Sequence, residues 1–232
     1  MERSPMLALL RDGGWGEQQP WFDRLEGWSG YPLLLETLEQ LNHEALYVSD
    51  IHGLGHIERT VLQGAFCAME EGLAEEDTRL LLEACSYHDV GRVSDWYDEL
   101  HGMRSAHVIG TLTGREGEAL LILQAAVDAH SRKEEALLPT LGWYGVEESP
   151  KALCIAQLLK DADGLDRVRL GDLNPAYLRR ESSKARVELA QAVFARYQRA
   201  IGKPAQPLLT EEIIAKLKEL DAKRRREERG ES

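Results

Sequence analysis

The amino-acid sequence predicts an all-α protein, and three observations carry that prediction. Leu, Ala, Glu and Arg are frequent while β-branched residues are thinly spread, a composition that favours helix. Apolar residues recur three and four positions apart along most of the chain, the signature of amphipathic helices. Two stretches are instead apolar on nearly every side, as helices at the centre of a bundle must be.

Taken in order, residues 1–30 hold Gly13, Gly14, Gly16, Pro20, Gly27, Gly30 and three of the five tryptophans. Breakers without a sustained period predict an ordered extension. Pro32 opens a run in which Leu33, Leu34, Leu38 and Leu41 share a helical face, and His43 beyond it reads as a surface or packing residue. From His56, the residues Ile57, Val61, Leu62, Ala65, Phe66 and Met69 form one apolar face that Gly72 terminates. Asp77 to His88 and Leu120 to His130 are the two all-round apolar runs. Ser149-Pro150 supplies an N-cap and a first-turn proline for a helix through Leu159 toward Asp163. Residues 140–145 read as loop. Two further helical patterns cover about 175–200 and 210–226. There Val187, Ala190, Phe194 and Tyr197, then Ile213, Leu217 and Leu220, are expected to pack on the core or to supply a dimer contact. The mixed-sign tail from Lys223 through Ser232 is expected to fray.

The chain has 232 residues, 43% hydrophobic and 29% charged, which fits one large globular domain with extensions. The expected organisation is an N-terminal extension over 1–44, a central domain over 45–170, and a C-terminal helical extension over 171–232 on the same core. A net charge of -12 argues against a long nucleic-acid partner, whose phosphates would be repelled. The apolar stretches are too short to span a membrane, and Met1-Glu2-Arg3-Ser4 is not followed by a secretory apolar core. No membrane partner and a cytoplasmic location are therefore expected. Cys67, Cys85 and Cys154 lie apart within apolar patterns, as core thiols do, rather than as a disulfide framework.

The chemistry is concentrated in an ordered series of polar residues. These are His52-Gly-Leu-Gly-His56-Ile-Glu-Arg59, His88-Asp89-Val-Gly-Arg92, His101-Gly-Met-Arg104, His130-Ser131 and Lys160-Asp161-Ala162-Asp163-Gly164-Leu165-Asp166. Imidazole and carboxylate are ligands for hard or borderline divalent ions, and residues so scattered converge only where several helices meet.

This series resembles the HD-domain metal-dependent phosphohydrolase superfamily over about residues 45–170, implying an HD-type helical bundle. By the resemblance, His56, His88, Asp89 and Asp163 match the family's four metal ligands. His101 and His130 sit where two-metal members carry additional histidines, with Asp89 bridging. Asp161 and Asp166 fall to structural or outer positions, His52 to a loop, and His107 to a hydrogen-bonded helix position. A His/Asp set without Cys suits Mn²⁺, Fe²⁺, Co²⁺, Ni²⁺ or Mg²⁺, one or two per chain. Asp89, Arg92 and Arg104 are the expected catalytic residues, the arginines meeting an anionic substrate. The implied activity is hydrolysis of a phosphate ester of a small metabolite, with a nucleotide expected, and a homo-oligomer is compatible with it. The alternative is a non-catalytic regulatory HD module that keeps the metal cage. The Gly-Tyr-Pro element of the cyclic-di-nucleotide phosphodiesterases and the Glu-Asp pair of the alarmone hydrolases are both missing after the His-Asp doublet.

Overall fold

The computed structural model describes residues 4–228 of the protein. Among these the architecture is helical without strands. The helices are α1 (Pro5–Asp12), α2 (Gln19–Glu26), α3 (Tyr31–Gln40), α4 (Leu54–Glu71), α5 (Glu75–Tyr87), α6 (His101–Thr113), α7 (Gly117–His130), α8 (Leu137–Trp143), α9 (Pro150–Leu165), α10 (Glu181–Lys184), α11 (Val187–Ala200) and α12 (Glu211–Glu228). Residues 229–232, the end of the expected frayed tail, lie outside the described residues.

The centre of the bundle is α4, α5, α7 and α9, packed against one another, with α6 laid along α7. The all-round apolar runs explain this. Leu80, Leu81 and Leu82 of α5 and Leu123, Ala126 and Val127 of α7 are 1% exposed or less, and each large buried side chain contributes about 1.5–3 kcal/mol. Helix ends follow local rules. Gly72 stops α4 with φ 64° in the left-handed region, which costs glycine no Cβ clash. The Ser149 side chain accepts from the Ala152 backbone N–H, and Pro150 starts α9.

One apolar core runs from Met6 through the central helices to Tyr197, so both terminal regions share it with the middle of the chain. At the N-terminus the breakers conceal two helices. Ser4 caps α1 by accepting from Leu7 N, with Pro5 in the first turn, and Met6, Leu7, Leu9 and Leu10 are buried. The expected loop at 140–145 is largely helix α8, because Leu137 and Leu141 bury into the core and the Thr140 hydroxyl donates to the Ala136 carbonyl.

The helix expected from Pro175 starts only at Val187. Before it, the Asp161 carboxylate accepts the backbone N–H groups of Arg179 and Arg180, leaving the α10 turn to restart the chain. In α12, Ile213 is exposed, Leu217 is half-buried, and no described side chain is buried. Neither of these two shows the expected burial in the core, and the Leu220 side chain lies outside the described residues. The linker carrying Pro204 and Pro207 joins the body through the Leu208 N–H to the Arg169 carbonyl at 2.6 Å. No helix of the described residues is long and apolar enough to cross a membrane.

Candidate metal centre

Five helix ends meet at one end of the bundle. The first turn of α4 presents His56, the C-terminus of α5 delivers His88 and then Asp89, His101 begins α6, His130 ends α7, and Asp163 lies in the last turn of α9. Four histidines and Asp89 are buried, while the Asp163 side chain is 28% exposed. The cluster therefore opens to solvent on the Asp163 side.

Asp89 straddles two groups. Its Oδ2 lies 3.5 Å from His56 Nε2 and 3.7 Å from His88 Nε2. Asp163 Oδ1 completes that half, 3.4 Å from His56 Nε2 and 4.0 Å from His88 Nε2. On the other side, Asp89 Oδ1 lies 3.0 Å from His101 Nε2 and 3.6 Å from His130 Nε2. The two triads His56/His88/Asp163 and His88/Asp89/His130 each bring their ligand atoms within 4.8 Å of one another.

The outward nitrogens settle the tautomers. His88 Nδ1 lies 3.0 Å from the Cys85 carbonyl, His130 Nδ1 is 2.5 Å from the Val127 carbonyl, and His101 Nδ1 meets the Asp98 carbonyl. A carbonyl only accepts, so each Nδ1 must donate, and each neutral ring turns an Nε2 lone pair inward. His56 Nδ1 faces Asp166 Oδ2 at 2.8 Å in the same sense. Lone pairs then oppose each other at 3.1 Å between His56 and His88 and at 2.9 Å between His101 and His130. Buried Asp89 Oδ1 has no hydrogen-bond partner among the described atoms. Converging lone pairs beside an unsatisfied carboxylate oxygen fit a cation, because their mutual repulsion in a dry site is otherwise uncompensated.

A glycine makes the second half possible. A Cβ on Gly102 would come within 2.6 Å of Ser131 Oγ, 2.7 Å of the Val127 carbonyl and 2.8 Å of the Asp128 carbonyl. Only glycine lets the start of α6 lie this close to the end of α7, and thus His101 beside His130. The α7 terminus is held from below by Lys160, a buried ammonium donating to the carbonyls of Ala129 and Arg132 at 3.0 and 2.7 Å. A cation there satisfies carbonyls that a helix end leaves unpaired.

Burial pushes the His88 ring down to about 3, outweighing the neighbouring Asp89 carboxylate, and it lowers His130 as well. These rings are neutral donors of electron pairs at physiological pH. Burial alone would raise the Asp89 and Asp163 carboxyls, but the surrounding cations and imidazoles prevail. Arg92 with His88 holds Asp89 well below the ordinary carboxylate range, and His56 with His88 does the same for Asp163. Burial also draws Lys160 down to about 8.

The two arginines differ. Arg92 Nε is 2.8 Å from Asp89 Oδ1, though off the angle of a hydrogen bond, so it neutralises the carboxylate at the rim. Arg104 donates from Nε to the Gly91 carbonyl at 2.7 Å and pairs with Asp98. It clamps the loop between Asp89 and His101, and its groups on that loop explain its place better than substrate contact does. His52 pairs through Nδ1 with Asp95 at 2.9 Å, and His107 lies exposed on α6, a helix position as expected but without the expected side-chain hydrogen bond among the described residues.

Asp161 points away from the histidines to the 179–180 backbone. Asp166 receives His56 Nδ1 and the Arg59 guanidinium, at 2.6 Å from Nε and 3.0 Å from Nη2. Spacing in the sequence does not mark the partners of Asp166, Lys160 and His52, except that Arg59 falls one turn after His56 on the same helix face.

A helical bundle closing on a buried His/Asp cluster defines the class of the protein, and the sequence comparison agrees. The HD domain family model matches residues 53–168, half of the chain. The protein belongs to the HD-domain family, within the metal-dependent phosphohydrolase superfamily, whose HD domains bind divalent metal ions. No curated protein and no solved structure matches the chain.

Proposed function

We propose that the protein is a metal-dependent phosphohydrolase that cleaves a phosphate ester of a small metabolite, with a nucleotide as the substrate class. His56, His88, Asp89 and Asp163 would hold one divalent ion, and Asp89, His101 and His130 a second. The observation that carries the reading is Asp89, whose two oxygens each face a separate pair of inward-turned Nε2 atoms. Bound there, divalent ions supply Lewis-acid polarisation of a phosphoryl oxygen and acidify water enough for attack at neutral pH.

The chain's own residues supply the rest. The partly exposed Asp163 side marks the entrance. Arg92 stands at the rim beside Asp89, where an anionic substrate meets a guanidinium suited to phosphate. Tyr97, 63% exposed on the loop between Asp89 and His101, offers an aromatic face on which a base can stack. The buried histidines and their carbonyl partners keep the ligand set rigid and dry, as preorganised sites require.

The test is a panel of phosphate monoesters and diesters, nucleotides included, assayed with Mn²⁺, Co²⁺, Ni²⁺ and Mg²⁺. Metal-dependent release of phosphate or nucleoside is expected, and it should vanish in Asp89→Ala. A folded, metal-loaded protein that turns over none of the panel would make the regulatory module the better account.

A further inference from the structure

The family match ends at residue 168, yet the chain beyond it reaches into the candidate site. Arg59 is only 2% exposed. Its guanidinium lies against two rings of α11, 5.1 Å from the centroid of Phe194 and 5.0 Å from that of Tyr197. On its other side it grips Asp166 through two nitrogens, and Asp166 Oδ2 accepts from His56 Nδ1 at 2.8 Å.

The clamp is built on both sides. A Cβ on Gly55 would stand 3.0 Å from Tyr197 Cε1 and 3.2 Å from Arg59 Nη1, so the first turn of α4 is kept bare where ring and guanidinium meet. The Tyr197 hydroxyl donates to buried Glu58 Oε2 at 2.7 Å, and Glu58 also accepts from Met6 N at 3.2 Å. α11 is thereby fixed to α4 and to the start of α1.

We propose that Phe194 and Tyr197 are positioning residues for the metal centre, acting through Arg59 and Asp166 on His56. Resting on the metal reading above, the inference extends the working site into a segment that the family match does not cover. A guanidinium has five donors in a fixed plane and binds a carboxylate best when that plane is held. Two aromatic walls hold it and keep water out, which strengthens the pair. A fixed Asp166 keeps the proton of His56 on Nδ1 and the lone pair of Nε2 aimed inward. Such outer partners commonly change metal affinity by about 10–100-fold when lost.

The experiment measures Co²⁺ and Mn²⁺ affinity of the full chain by competition with a chromophoric chelator, together with the visible spectrum of the Co²⁺ form. Phe194→Leu and Tyr197→Leu are expected to weaken the tighter-held ion about 10-fold and to alter the Co²⁺ bands. Tyr197→Phe keeps the ring and should bind like wild type. Leu189→Ala, in the same helix and in the core that holds Tyr197 but not at the clamp, should lower thermal stability without changing affinity. Arg59→Lys keeps the charge but not the planar grip, and should match the Leu variants, which carries the test if either of those fails to fold.

Wild-type affinity in both Phe194→Leu and Tyr197→Leu, or in Arg59→Lys, would overturn the proposal while leaving the metal reading intact. So would an equal loss in Leu189→Ala, which would make the effect one of folding, or in Tyr197→Phe, which would assign it to the hydroxyl. A wild-type chain that binds neither ion would overturn the metal reading and this proposal with it.

Discussion

Two aspartates two residues apart on α9 should respond to mutation in opposite ways. Asp161 is fully buried and accepts from Arg179 N at 2.8 and 3.1 Å and from Arg180 N at 2.9 Å, with Arg179 Nη1 at 3.3 Å. In Asp161→Ala two partly buried amides lose their acceptor, at about 1–2 kcal/mol each. The expected loss is about 2–4 kcal/mol, and at about 2–4 °C per kcal/mol for a chain of this size the melting temperature falls by about 4–16 °C. Metal content should be unchanged. Asp163 is 28% exposed and touches only the histidine cluster, so Asp163→Ala strands no amide. The chelated variant should melt within about 3 °C of wild type, a change of under about 1 kcal/mol, yet bind little metal. Melting in chelator and metal analysis after dialysis read both quantities on the same samples. If Asp161→Ala loses metal at unchanged stability while Asp163→Ala retains it, the assignment of the two carboxylates is reversed.

Three further outcomes are expected. Gly102→Ala must push α6 from α7, since its Cβ would meet carbonyl oxygens at 2.7 and 2.8 Å. Metal titration should then show one ion lost from the His101/His130 half and the other retained, and full double loading would contradict this. Asp89→Ala, by removing the group shared between halves, should abolish both ions, whereas His43→Ala should affect neither. In chelator, stability should fall with acid, because burial holds His52 at about 4 and His88 at about 3 against an ordinary 6.5. The unfolded chain binds more protons through that window, so stability present above pH 6.5 is lost as pH drops toward 4, by roughly 2 kcal/mol per ring at pH 5. Denaturant midpoints equal at pH 7.5 and pH 5 would refute it.

Much of this architecture was legible because periodicity reports burial directly. The all-round apolar runs at 77–88 and 120–130 became the innermost helices, and the Ser149-Pro150 cap appeared where the residues placed it. The same signal at Ser4-Pro5 was drowned by the glycines that follow, although Gly13 merely ends the helix. The late start of α11 could not be read locally, since a carboxylate on α9 diverts the backbone at 179–180. At the site, ligand residue types and order pointed to His56, His88, Asp89, His101, His130 and Asp163, and the fold gathers all six. Their outer partners were legible only in Arg59, which shares the face of His56. Lys160 and Asp166 act on residues 28 to 110 positions away, and helical spacing does not mark pairings of that range.

Lys160 and Asp163 stand one turn apart on α9, and they serve different halves of the cluster. Asp163 faces His56 and His88, while Lys160 grips the end of α7 from which His130 projects. The distance between the halves is thus set by a rigid rod and not by loops, much as a spacer bar sets the gap between two jaws. A slide of α9 along its axis would move both jaws at once. The repacking that α9 permits without disturbing either half is therefore confined to rotation-free exchanges of similar volume, such as at Ile155 or Leu158, both buried against the core, where volume-conserving swaps typically cost under about 1.5 kcal/mol.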